Sequence, residues 1–600
     1  MAEFDDLSAQ AVANLVTQFS SALDFYRELV QNSIDAGSST IEIWLDYTPD
    51  EAGGSGVIEI HVDDFGEGMT SEIIDDQLTT LFASSKEGDL TKIGKFGIGF
   101  VSVFAIQPAG VLVQTGRDGE YWEVFFHADR TFSKSPLATP VEGTQITLFV
   151  AGDRARYTEL VARSRETIDH WCRHSEAEIG FEDRASRSGE RASINKPFAV
   201  EGECPVEVEH EGTKIVLAFS HQPVWGFYNK GLALAVVRGE SDLIRDRHRH
   251  VAFRIKSRYL EHTLSRETVV RDGNYDKAMA LIDAAIAGPL RAALIAAIVE
   301  LVTLAGARRW TARERARYFV LMDFLAREGG GALEPWADRP LWLGLDSSGL
   351  TLDRLFAHAI DEGHEQILVD DQRSPLIERV LATSIPVVLV PALGEPIPGV
   401  ERGGNPVARA LVQAIAFRLR QRSLLSRTFD RLVRDVAPQA DARALALIVR
   451  PSEVLVGVGE IEREGKPAAL VADAERLLLA ELAAPGKRRL FARSQALGYR
   501  KLVCAELLGD AGPLFVVGPQ IAALMTRPGR ERDDPQRARE AVVNREHPHF
   551  RALLILAERE PELAAYCLAR SLLLDRDRGL EFDTPLMEAA SELRQPLADA

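Results

Sequence analysis

Apolar and polar residues along this 600-residue chain change period several times, and each change predicts an element. Near the start, Ala9 to Phe19 and Ser21 to Ala36 carry the three-to-four-residue apolar spacing of helices, the second closed by Gly37 as a C-cap. At 100° per residue, Leu23, Tyr26, Val30 and Ile34 fall on one side, while Glu28, Asn32 and Asp35 lie within about 60° of one another on the other. Taken alone, a solvated polar face accounts for that pattern as well as a site does. Thr40 to Asp46 then alternates with period two, Ile41, Ile43 and Leu45 inward, and Val57 to Val62 does the same beyond a Gly-rich linker, Asp50 to Gly56. Val111 to Thr115, Tyr121 to His127 and Gly143 to Val150 complete a sheet. The predicted fold class is α+β, a helix-on-sheet sandwich over residues 1–153.

A helix over Arg156 to His174 leads into further strands, Ile215 to Phe219, Tyr228 to Val237 and His250 to Lys256, and helices, Tyr275 to Ala305 and Ala312 to Glu328. Short strands then alternate with helices: Leu341 to Leu345, Leu352 to Asp361, Gln366 to Val369, Pro375 to Thr383 and Ile385 to Val390. That order predicts a small parallel sheet. Beyond the Gly- and Pro-rich stretch Pro391 to Pro406 come a long helix, Val407 to Val436, a strand, Glu453 to Ile461, and two apolar helices, Arg551 to Glu558 and Pro561 to Leu574. The expected domains are 1–153, 154–335, 336–400 and 401–600. The last is mainly helical.

Two glycine-rich turns give the first domain its chemistry. Asp63-Asp64-Phe65-Gly66-Glu67-Gly68-Met69 follows a strand, so Asp64 stands where the backbone turns and can accept a hydrogen bond from a buried amine such as that of adenine. Gly94-Lys95-Phe96-Gly97-Ile98-Gly99-Phe100 precedes an apolar run, Phe100 to Ile106, that reads as the start of a helix, where unobstructed amides bind phosphate. Either turn alone is a weak signal. Together, after Glu28-Leu29-Val30-Gln31-Asn32-Ser33-Ile34-Asp35-Ala36-Gly37 and before Gly143-Thr144, they are a strong one.

In this order the motifs over residues 20–150 resemble the GHKL ATPases, which include gyrase-type topoisomerases, MutL, histidine kinases and heat-shock protein 90. The resemblance implies ATP and Mg2+ as cofactors. It makes Glu28 the residue that orients and polarises the attacking water, Asn32 the magnesium ligand, Asp64 the partner of the adenine amine, and Gly68 part of the adenine pocket. The glycines at 94, 97 and 99 border the phosphates, Thr144 supports Asp64 through ordered water, and Asp35 has a structural role. Gly66, Met69, Lys86, Lys95, Phe96 and Phe100 are counted with the nucleotide-binding set. One base, one metal and a ring of amides are the parts that phosphoryl transfer to water requires. The polar stretch Gln77 to Lys92 reads either as a mobile cover or as a surface loop.

Further along, Leu264-Ser265-Arg266-Glu267 looks like the heat-shock protein 90 middle domain, where such an arginine touches the γ-phosphate. This makes Arg266 a catalytic candidate, the alternative being a simple ion pair with an acidic neighbour. Asn544 to Phe550 followed by two helices resembles the end of that chaperone's dimerisation domain, so a homodimer is expected; His547 lacks a ligand partner at useful spacing and is read as structural. The tail after Gly579 has no terminal docking peptide of the Glu-Glu-Val-Asp kind. A histidine kinase is set aside because only 27 residues precede Glu28. The reading is a heat-shock protein 90-like ATPase that clamps protein clients. The alternative is a MutL- or MORC-like ATPase acting on DNA or in a conflict system, and a non-hydrolysing scaffold is disfavoured by the presence of Glu28.

Charge and composition then narrow the setting. A net charge of −19 argues against a nucleic-acid gripper, and 46% hydrophobic residues suffice for several cores. The run Arg245 to His250 reads as a solvated loop before it reads as a binding patch. Four scattered cysteines without metal spacing and an acidic, polar start point to a reducing, cytoplasmic compartment. Ala292 to Ala307, short and containing Glu300, reads as a buried helix with no membrane role.

Overall fold

Helix α1 (Phe25–Asp35) begins at Phe25 instead of Ser21 because Ser21 to Asp24 form a turn, closed by the Ser21 amide donating to Asp24 Oδ2 at 2.9 Å. Phe25, Tyr26, Leu29 and Val30 are buried, each worth about 1.5–3 kcal/mol relative to exposure. The opposite face is not solvated at Glu28, which is 5% exposed. The computed structural model describes residues 21–50, 55–79, 97–186, 191–261, 263, 268–362, 366–400, 404–425, 436–479, 501–508, 513–518, 520–521, 524–526, 540–574 and 583–593. The helix expected over Ala9 to Phe19 and most of the stretch Gln77 to Lys92 lie outside the described residues. The chain divides into two units, Met1–Ala293 and Leu294–Ala600.

In the first unit α1 lies on a sheet built from β1 (Thr40–Pro49), β2 (Gly56–Asp64), β3 (Gly110–Arg117), β4 (Glu120–His127), β5 (Phe132–Pro136), β6 (Gly143–Gly152), β7 (Glu178–Asp183) and β8 (Ala192–Ser193), in the order β5-β4-β3-β6-β2-β1-β7-β8. The alternation holds: Ile41, Ile43, Leu45, Ile58, Ile60 and Val62 enter one core with α1. Between them, α2 (Gly97–Val101) is one short turn and tightens at once over Ser102–Ile106, so the expected helix from Phe100 is brief. Helix α3 (Arg154–Cys172) covers the same face, its Ser164 hydroxyl accepting from Tyr26 at 2.9 Å. The sheet runs past Asp153, because β7 follows α3 and pairs in parallel with β1.

A second sheet comes next, with β9 (Glu203–His210), β10 (Thr213–Phe219), β11 (Val224–Asn229), β12 (Leu232–Arg238) and β13 (Val251–Ser257) in the order β12-β11-β13-β10-β9. The single strand expected over Tyr228 to Val237 is two, because Lys230 and Gly231 both take positive φ, 48° and 83°, and fold the chain back as a hairpin. Helix α4 (Gly273–Ala285) packs nearby. Its Asp283 accepts from the fully buried His248 at 2.7 Å and pairs with Arg245 at 3.5 Å, so part of the basic run is spent internally.

In the second unit the helix Ala312–Glu328 matches its predicted bounds. The strands Ile367–Asp370 and Val387–Leu389 are parallel as expected, with Ile448–Val449 joining them. The long helix expected over Val407 to Val436 is described as Pro406–Leu425 and Val436–Leu447, with residues 426–435 outside the described set. The stretch from Glu453 begins as a helical turn, Pro451–Val454, so the strand is only Leu455–Val458. Pro548–Ala557 and Pro561–Leu574 pack on Lys466–Leu479, burying Phe550, Leu553, Leu568 and Leu572 within one cluster. The expected helix Tyr275 to Ala305 is broken by a wider turn at Ile286–Leu290 around Pro289, then resumes as Arg291–Ala307. Gly273–Ala307 is long and apolar enough to cross a membrane by length and composition, and Leu294, Ile298, Leu301 and Val302 on it are buried.

Candidate functional site

The last residue of β2 is Asp64, and the period that turns Ile60 and Val62 into the core turns its carboxylate toward α1, 7% exposed. Three donors meet it. Gly66 and Thr144 donate their backbone amides to Oδ1 at 3.0 and 3.3 Å, and the Ser33 hydroxyl stands 3.0 Å from both Oδ2 and the Leu29 carbonyl, sharing one proton between them. Burial pushes the Asp64 pKa above the ordinary carboxylate range, and these hydrogen bonds pull against it. An ionised carboxylate has about four acceptor sites, so the arrangement keeps capacity for one more donor.

The turn after Asp64 is strapped in place. Glu67 donates to the Ala36 carbonyl at 2.9 Å, and Phe65 to the Ser38 hydroxyl at 3.0 Å. Met69 donates to Thr115 Oγ1 at 2.9 Å. Thr115, fully buried on β3, donates in turn to the Gly143 carbonyl at 3.0 Å and accepts from the Thr144 hydroxyl at 3.1 Å. Gly68 has φ +69°, and a Cβ there would stand 2.1 Å from the Gly116 carbonyl. No side chain fits.

On α1, Glu28 and Asn32 are one turn apart and project on one side. A Cβ at Gly99 would stand 2.9 Å from Glu28 Oε2, so the glycine leaves that carboxylate its room. Asn32 is half-buried and its side chain has no hydrogen-bond partner among the described residues, which fits an oxygen ligand held ready for a hard cation. Asp35 lies at the helix end and accepts from Lys230 Nζ at 2.6 Å, in keeping with a structural role. Phe100 is 3% exposed with its ring 5.2 Å from that of Phe126, so the ring belongs to the core. Gly97 opens α2. Lys86, Gly94, Lys95, Phe96 and Arg266 lie outside the described residues.

Residues 19–149 match the family described as histidine kinase-, DNA gyrase B-, and HSP90-like ATPases. This segment is a GHKL ATPase domain. Part of the chain is also similar to the chaperone protein HtpG of Coxiella burnetii, 26% identical over 183 residues that cover 25% of this chain and 27% of the relative. HtpG of Roseobacter denitrificans is 26% identical over 208 residues, 31% of this chain and 33% of its own length; that of Myxococcus xanthus is 25% identical over 209 residues, 31% of each. The chain thus matches about a third or less of the length of these relatives. Around the GHKL domain's Asp64, motif spacing did not point to Ser33 or Thr115. Ser33 was findable as the position five residues after Glu28, facing the sheet, and Thr115 as the cross-strand partner of Thr144 in the β3/β6 register.

Proposed function

We propose that the chain binds and hydrolyses ATP and uses the cycle to close a dimeric clamp on protein clients in the cytoplasm. The observation that carries the reading is Asp64, a buried carboxylate held by three donors with capacity for an amine, beside the helix that carries Glu28 and Asn32. Asp64 and Gly68 hold the base. Glu28 takes the proton of the attacking water, and Asn32 holds Mg2+, which when bound offsets charge developing on the transferred phosphoryl group. Arg266 is assigned the γ-phosphate. That assignment rests on the likeness of Leu264-Ser265-Arg266-Glu267 to the heat-shock protein 90 middle domain alone.

The client and dimer assignments rest on likeness to HtpG. On the terminal helices, Ile555 and Leu563 remain 72% and 47% exposed, apolar surface that a partner subunit would cover. A DNA-directed ATPase is the competing reading, and the internal pairing of Arg245 and His248 with Asp283 counts against it. The experiment is the ATPase rate of the full chain alone, with an unfolded polypeptide, and with DNA. Stimulation by polypeptide is expected; stimulation by DNA alone reverses the assignment.

A further inference from the structure

Away from the nucleotide site, the end of α3 and the face of the second sheet enclose a cavity of about 420 Å3. His170 and Arg173 line it from α3 and its C-terminal end, Tyr228 from β11, Val236 and Arg238 from β12, and Arg254 from β13. The size is that of a small-molecule site. Its charge is one-sided in a chain that is otherwise strongly acidic.

Of the three guanidiniums only Arg173 has a carboxylate partner among the described residues, Asp169, and Asp169 is shared with Lys196 at 2.5 Å. Arg254 spends one N–H on the Ala199 carbonyl, which carries no charge, and Arg238 has no ion pair among the described residues. Three guanidiniums therefore line the cavity and no carboxylate does; Asp169 and Asp24 lie close enough to act on His170 but are not part of the lining. Tyr228 adds a second observation. Its ring is fixed edge-on against His174 and Phe198, at 5.3 and 5.5 Å, and the residue is 3% exposed, yet its hydroxyl has no hydrogen-bond partner among the described residues. The hydroxyl is not among the buried polar atoms left without a partner, so it opens onto the cavity and can donate to what sits there.

We propose that this cavity binds a small molecule bearing a di- or polyphosphate group. Guanidiniums suit phosphate because their planar N–H forks match its oxygens two at a time, and a singly charged carboxylate would leave most of the positive charge uncompensated. The Tyr228 hydroxyl donates to the same anion, and Val236 with the aromatic cluster gives an apolar wall for the rest of the ligand. Because the cavity joins α3 of the first sheet to the hairpin whose tip holds Asp35, its occupant would stiffen that junction.

The test is calorimetry with pyrophosphate and Mg2+ on three full-length proteins: the unchanged chain, Arg238→Glu and Asn32→Ala. Arg238 is exposed at a strand end, so its substitution is expected to leave the melting temperature in place; Arg238→Gln serves as the milder second variant. The expected result is saturable binding to the unchanged chain and equally to Asn32→Ala, weakened at least tenfold in Arg238→Glu and less in Arg238→Gln. ATP binding by Arg238→Glu should be unchanged. Absence of binding at millimolar pyrophosphate overturns the proposal. So does binding that Asn32→Ala removes and Arg238→Glu keeps, which would place the anion in the nucleotide site.

Discussion

Lys230 Nζ lies 2.6 Å from Asp35 Oδ1, tying the tip of the β11–β12 hairpin to the last turn of the helix that carries Glu28 and Asn32. The pair is solvent-accessible, so its direct worth is about 0–1 kcal/mol. Its importance is positional, because the second sheet touches the site helix through a residue held at φ 48°. Lys230→Ala should leave the melting temperature nearly unchanged and ATP affinity within about twofold, and lower turnover several-fold if the hairpin passes closure of the second sheet to α1. Unchanged turnover at saturating ATP would remove the hairpin from the catalytic cycle.

Gly99 faces Glu28 directly. In Gly99→Ala the new methyl would meet Oε2 at 2.9 Å, and the carboxylate, being the end of a flexible side chain, would swing aside before the backbone gave way. Stability should fall by no more than about 1 kcal/mol, while hydrolysis falls at least tenfold because a general base displaced by a fraction of an ångström loses its water. Stopped-flow phosphate release under single-turnover conditions separates this from a binding defect.

The fully buried Thr115 hydroxyl accepts from Met69 and the Thr144 hydroxyl and donates to Gly143. Thr115→Val keeps the shape and strands the Met69 amide and the Gly143 carbonyl. Each lost partner costs about 1–3 kcal/mol, so denaturant unfolding should show a loss of that order, with weaker ATP binding because the turn around Gly68 loosens. Thr115→Ser should restore both.

Asp63 and Asp64 are adjacent and lie on opposite faces of the sheet. Among the described residues Asp64 has three donors, whereas Asp63 has only Trp44 Nε1 at 3.3 Å, and its other carboxylate oxygen is buried without a partner there. Burial accordingly pushes the Asp63 pKa up to about 6 from 3.8. The folded value is the higher one, so its stabilising contribution is complete below about pH 4 and is lost as pH rises through 6. Asp63→Asn should therefore be more stable than the unchanged chain by about 1–3 kcal/mol at pH 7.5, and no more stable at pH 3.5. Chemical denaturation at the two pH values gives the comparison.

Much of the site was readable because its parts are local. The alternation through Ile58, Ile60 and Val62 fixes which way Asp64 points, and the spacing of Glu28 and Asn32 fixes a shared side of α1. What escaped depends on contacts between distant segments. The β11–β12 turn carried a signal in Asn229-Lys230-Gly231, but the strand-like residues on either side of it read as one run across it. The parallel addition of β7 to β1 is invisible from either strand alone. Nor does either terminal helix reveal by itself that Lys466–Leu479 packs on its apolar side.

The central claim is that Glu28 handles water while Asp64, Asn32 and the backbone amides hold the nucleotide. The decisive measurement is calorimetric ATP binding paired with phosphate release for Glu28→Ala in the full chain. Affinity is expected within a few-fold of the unchanged protein, with turnover reduced by about a hundredfold or more. Binding and turnover lost in equal measure would make Glu28 a structural residue and contradict that claim.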